Sequence, residues 1–96
     1  MTYSFHPDAE EEFFEAIKYY EGIEAGLGLD FAIEVYSAIQ RCIAYPKAWT
    51  VFDDTIRRSL VRRFPYGILY SIEHDEIYIL AVMNLHRNPD YWKDRK

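Results

Sequence analysis

Between Val82 and Trp92 the chain reads VMNLHRNPDYW, and between Ile56 and Tyr70 it reads IRRSLVRRFPYGILY. His86, Arg87 and Tyr91 are residue types suited to cleaving RNA without a metal. That reaction needs a base for the 2′-hydroxyl, positive charge for the developing phosphorane and an acid for the leaving oxygen. Histidine or tyrosine can transfer the protons, and arginine can stabilise the charge. The residue types suffice, but their spacing is not specific. The same side chains would serve equally to cap chain ends or to pair with Asp90 and Asp94.

The arginines offer a second chemistry, because a guanidinium is a planar fork of donors that matches phosphate or carboxylate. On a strand over Ile56–Phe64, alternation places Arg58 and Arg62 on one face and Arg57 and Arg63 on the other. Four arginines do not suit a strand buried on both sides, since an unpaired buried charge is costly. Either the strand lies at a sheet edge, charged against edge-to-edge association, or one arginine pair lines a functional concave face.

Other constellations point to structure. One cysteine and three scattered histidines have no metal-ligand spacing, so neither a metal nor a cofactor is expected. Cys42 falls on a helical apolar stripe and reads as a small buried side chain. Without a second cysteine there is no internal disulfide, which suits a reducing cytoplasm. His6 and His74 read as surface residues. Tyr19, Tyr20, Phe31, Tyr36 and Tyr45 read as core and hairpin packing rather than a base-stacking platform.

The elements that must position these residues follow from composition and period. Ninety-six residues, half of them hydrophobic and 18% aromatic, make one domain over 1–96 with one modest core. The longest apolar run, Ile77 to Met83, is far short of the roughly 20 residues of a membrane span. MTYSFHPDAEEE lacks a basic segment followed by an apolar one, so no secretory signal is expected. The net charge of −5 divides unevenly: residues 1–56 carry 3 basic and 11 acidic side chains, and residues 57–96 carry 8 and 5. Long-range attraction to nucleic acid should therefore be weak, and any polyanion must meet a focused C-terminal patch.

TYSF, Thr2 to Phe5, predicts a short first strand. Pro7 opens a helix, with Asp8, Glu10, Glu11 and Glu12 at its positive end and Ala9, Phe13, Ile17 and Tyr20 on one stripe. Gly22 and Gly26 end it. A second helix, from about Gly28 to Tyr45, places Phe31, Val35, Ile39 and Cys42 on one face, and Pro46 stops it. The two helices must form an antiparallel hairpin. After the loop PKAWTVFDD the period changes to two, and Ile56–Phe64, Tyr66–Glu73 and Glu76–Asn84 read as strands, with EHDE as a hairpin turn. Apolar on both faces, IYILAVM should be central. The expected fold is α+β, with helices on an antiparallel sheet.

The stretch RRSLVRRFPYGILYSIEHDEIYILAVMNLHRNPDYWKDR, Arg57 to Arg95, resembles the RelE/ParE superfamily of type II toxin–antitoxin toxins, which includes plasmid stabilisation proteins. The matching pieces are the arginine-rich strand leading into RFPY, the ILYSIEHDEIYILAV hairpin and the closing HRNPDYW. FHPDAEEEFFEAIKYYE also resembles the family's first strand and helix. The resemblance implies a helical hairpin on a curved antiparallel sheet, and a growth-inhibiting toxin neutralised by a cognate antitoxin in a hetero-oligomer. It implies two possible targets: mRNA at the ribosome for RelE-like members, and DNA gyrase, through protein contact, for ParE-like members. RelE-like members have a third-strand arginine where this chain has Gly67, and lysines before it where this chain has few. Arg87 and Tyr91 carry over. His86 stands where ParE-like relatives often have arginine, and Asn84 where some have histidine. These departures favour the gyrase branch. On that reading Arg58, Arg62, Arg63 and Trp92 contact a protein partner. On the ribonuclease reading His86, Arg87 and Tyr91 are catalytic. A toxin-like scaffold that only binds is the third possibility.

Overall fold

The computed structural model describes residues 1–95. The chain runs β1 (Thr2–Phe5), α1 (Pro7–Ile23), α2 (Leu27–Ala44), β2 (Thr50–Asp53), β3 (Ile56–Leu60), β4 (Tyr66–Glu73) and β5 (Glu76–Asn84). The strands form one sheet in the order β1-β5-β4-β3-β2. β1 is parallel to β5, and the other pairs are antiparallel. The α+β architecture is the expected one, but the sheet is mixed rather than antiparallel. No helix of the described residues is long and apolar enough to cross a membrane.

Local chemistry sets both helix ends. Pro7 opens α1, and the His6 ring accepts from the Asp8 N–H at 3.0 Å. At the far end, the Glu21 carboxylate accepts from the N–H groups of Gly26 and Gly28 at 3.0–3.1 Å. Gly26 lies in the left-handed region, with φ 91°, where a side chain would be strained. Gly28 is needed for space: a Cβ there would stand 2.7 Å from the Ile17 carbonyl oxygen. Gly28→Ala should therefore destabilise the fold by about 1–3 kcal/mol. Gly22→Ala, with nothing within 4 Å of its new methyl, should be neutral or stabilise by up to about 1 kcal/mol. Urea denaturation of the two variants checks the contrast.

The hairpin covers one face of the sheet. Phe13, Phe31, Val35, Ile39 and Cys42 from the helices meet Tyr66, Ile68, Tyr70, Ile77, Ile79 and Val82 from the strands. The Phe31 ring lies 4.9 Å from Tyr66 and 5.2 Å from Phe64. Tyr70 is fully buried, and its hydroxyl donates to the Pro46 carbonyl at 2.7 Å. Burial pushes the Cys42 thiol up to about 11. A second, smaller core lies on the opposite face, where Leu69, Ala81, Met83 and Trp92 pack with Phe52, Ile56 and Tyr91. Two covered faces explain why β5 is apolar on both. EHDE does form the tight turn, with His74 and Asp75 both at positive φ, as a type I′ hairpin requires.

Two expectations are corrected. The segment PKAWTVFDD is not all loop: Thr50–Asp53 forms β2, which pairs with β3 through an irregular register and is the sheet edge on that side. The strand expected over Ile56–Phe64 stops at Leu60, and Arg63 turns to φ 71°, incompatible with an extended strand. Arg58 and Arg62 are therefore not alternate residues of one strand face, and β3 is internal rather than an edge. Its charges are accommodated individually. Arg57 donates to the Trp49 and Lys47 carbonyls at 2.7 and 3.1 Å, and Arg63 reaches Asp30 at 3.5 Å and Glu34 at 4.0 Å on α2.

Candidate functional site

The chain leaves β5 through a series of side-chain-directed turns. Asn84 Oδ1 accepts from the His86 N–H at 2.9 Å, and Asn88 Oδ1 accepts from the Asp90 N–H at 3.0 Å. Both are asparagines binding the backbone two residues on, a local alternative to continuing a strand. The turns carry Tyr91 and Trp92 under the second face of the sheet, where Trp92 is 3% exposed and its indole N–H donates to the Pro89 carbonyl. Trp92 thus serves the interior of this domain as an anchor for the C-terminal segment.

At the other end of the segment, Arg95 runs back to α1. Its guanidinium holds the Glu12 carboxylate with two hydrogen bonds of 2.9 and 2.8 Å and donates to the Leu80 carbonyl at 2.9 Å. Glu12 Oε1 also accepts from the Val82 N–H at 3.1 Å. These backbone groups lie where β1 has ended opposite Ile79 and the β4–β5 register shifts. A bulge leaves such groups without ladder partners, and two charged side chains supply them here. Arg87 approaches Glu12 at 3.8 Å and lies over the Tyr91 ring at 4.0 Å, with Arg95 at 4.9 Å from the same ring.

The structure therefore brings Arg87 and Tyr91 together, around a carboxylate of the chain itself. The Tyr91 hydroxyl is closed off from water and makes no hydrogen bond of ordinary geometry. Burial, then the Glu12 carboxylate, pushes the Tyr91 phenol well above the usual tyrosine range, against the opposing pull of Arg95 and Arg87. His86 does not join the group: it is exposed, and its N–H alone is engaged, by Asn84. Beside the cluster is an open cleft of about 420 Å³, whose lining includes Asp8, Glu11, Glu12 and Glu15 with Arg87 and Arg95. Four carboxylates against two guanidinium groups make this a poor place for a phosphodiester. Among the described residues, no three His, Cys, Asp or Glu side chains are grouped to hold a metal ion.

The other expected contact residues lie apart from this cluster. Arg58 shares the second face of the sheet with Ile56. Its methylenes lie over Gly67, at 3.2 and 3.3 Å from where a Cβ would stand, and its guanidinium sits 4.9 Å from the centre of the Phe52 ring. Gly67 is thus the slot that lets Arg58 cross β4. Leu60 and Leu85 beside it are 54% and 38% exposed. Arg62 is exposed, and Arg63 is engaged by the α2 acids. Sequence reasoning missed Glu12 and Arg95. A signal for Glu12 existed: it is spaced three and four residues from Ala9 and Ala16, both buried, which puts a carboxylate on the inward side of α1.

No family model matches the chain, and no curated protein does. Among solved structures, a chain of the chromosomal ParDE TA system from P. aeruginosa superposes with a TM-score of 0.77 at 15% identity, covering 88% of this chain and 96% of that one. The fold is therefore the ParE-like α+β fold.

Proposed function

We propose that this chain is the toxin of a type II toxin–antitoxin module, neutralised by a partner antitoxin in the cytoplasm, and that it acts by protein contact on DNA gyrase. The fold it shares with a chain of a ParDE TA system supports the toxin reading. The observation that carries the choice of mechanism is the capture of Arg87 and Arg95 by Glu12, with the Tyr91 phenol buried beneath them. A metal-free ribonuclease needs a free cation where the phosphorane forms and proton carriers poised near neutrality. Here the cations face a carboxylate, the phenol is buried and raised, and His86 stands outside the group. Losing one preorganised donor typically costs about 10²–10³ in rate.

The antitoxin's docking place is the second face of the sheet. Arg58 supplies a cation there, and Leu60 and Leu85 supply exposed apolar surface. An acidic, amphipathic segment complements that combination, and Trp92 supports the face from within. Amide exchange should then show residues 56–66 shielded when the antitoxin is bound.

Two assays of the purified protein test the mechanism: gyrase with supercoiled DNA, and ribosomes with mRNA. Gyrase should be impaired and the mRNA should stay intact. If mRNA is cleaved, and alanine at His86, Arg87 or Tyr91 abolishes the cleavage, the ribonuclease reading replaces this one. If neither assay responds, the chain is a binding scaffold.

A further inference from the structure

The outward side of the helical hairpin carries an apolar surface on the layer opposite to Arg58. Leu29, Ile33 and Tyr36 on α2 are 64%, 52% and 43% exposed. Their spacing of four and three residues sets them in one line along the helix. Phe14 on α1 is 52% exposed. Phe14 and Tyr36 both lie against the buried Phe13 ring, with centroids at 5.9 and 5.4 Å, so the same core residue supports an exposed aromatic side chain on each helix. Its rim is acidic. Glu10 and Glu11, both exposed, precede Phe14 by four and three residues. On α2, Asp30 and Glu34 share a single cation, Arg63.

We infer that this face docks a helix of a protein partner whose apolar stripe is flanked by lysine or arginine. An exposed apolar patch with a polar rim is the mark of a protein interaction site. A ridge spaced i, i+4, i+7 is the form into which another amphipathic helix packs. The rim decides among occupants. Nucleic acid or an anionic membrane would meet like charge, and a second copy would set one acidic rim against another. A basic-flanked helix gains from the same rim. The site is distinct from the antitoxin face, so this chain presents two docking surfaces of opposite charge on opposite layers.

Two amphipathic peptides of about 15 residues, long enough to hold a helix, serve as probes. Both carry a leucine stripe, flanked by lysine in one and by glutamate in the other. Titrated into the full chain and followed by NMR, the leucine–lysine peptide should bind saturably and shift Phe14, Leu29, Ile33 and Tyr36. The variant L29S/I33S changes exposed residues only, so its circular dichroism should be unaltered while binding weakens at least about tenfold. The variant E10Q/E11Q should weaken binding and flatten its salt dependence. Equal binding of the leucine–glutamate peptide, shifts confined to the Arg58 face, or unchanged affinity in L29S/I33S would each overturn the inference. So would a sedimenting dimer that L29S/I33S dissolves, since the occupant would then be a second copy.

Discussion

Replacing Glu12 with alanine is expected to destabilise the fold by about 3–5 kcal/mol, the range for removing one partner of a buried ion pair. Solvent screening does not rescue the loss, because the Glu12 and Arg95 side chains are only 14% and 12% exposed. The substitution strips the Arg95 guanidinium of its bidentate partner, leaving only Asp8 at 3.8 Å, and takes an acceptor from the Val82 N–H. Glu12→Gln keeps an acceptor for Val82 but not the charge, and should fall between wild type and alanine. Arg95→Ala should cost a similar amount, and the Glu12→Ala/Arg95→Ala double variant should cost clearly less than the two singles together. Arg87→Ala provides the contrast. Its side chain is 58% exposed and 3.8 Å from Glu12, so it should cost under about 1 kcal/mol. Urea midpoints of the series measure all five. Additive single losses, or a Glu12→Ala loss below that of Arg87→Ala, would show that the cluster does not hold the C-terminal segment. Because Arg87→Ala should stay folded, it is also the clean probe of contact or catalysis at this site.

Trp92→Ala should cost about 3–5 kcal/mol, the usual range for truncating a buried tryptophan. It empties the centre of the second core, where Trp92 packs with Leu69, Ala81 and Met83 and its ring lies 6.0 Å from that of Phe52. Trp92→Phe restores much of the volume but loses the indole donor to Pro89, and should cost about 1–1.5 kcal/mol. For a domain of this size each kcal/mol moves the melting midpoint by roughly 4–8 °C, so scanning calorimetry separates the variants. An alanine variant as stable as wild type, but impaired in partner binding, would make Trp92 an interface residue instead. The expected order is the reverse: stability falls first, and binding through the Arg58 face falls with it, because Phe52, which seats the Arg58 guanidinium, rests on Trp92.

Both helices, β4 and β5 were legible in the sequence because each has one strong periodic signal. α1 and α2 bury one stripe apiece, and Pro7 and Pro46 mark their outer ends with a chemistry that does not depend on context. β2 was not legible. Thr50, Val51 and Asp53 are exposed, so an edge strand with an irregular register shows no alternation between water and core. The early end of β3 was hidden for another reason. Arg62 and Arg63 continue the strand's composition, and only the left-handed backbone at Arg63, held by Asp30 and Glu34 of α2, breaks it. That holding contact spans the two layers of the fold.

The candidate site divides along the same line. Taken alone, the sequence determined that cationic and phenolic side chains would collect just past the last strand, because the end of a strand and the turn after it are set by local pattern and by Asn84, Asn88 and Pro89. It also determined that the chain's acidic charge would be concentrated in its N-terminal part. What only the tertiary structure decided is whether those cations are free. Glu12 and Arg95 are separated by 83 positions, and no period or spacing relates them. They meet because β1 stops short of the end of β5 and leaves backbone groups there in need of partners. In a site nearly closed to water such groups, and the two charges that reach them, must satisfy one another.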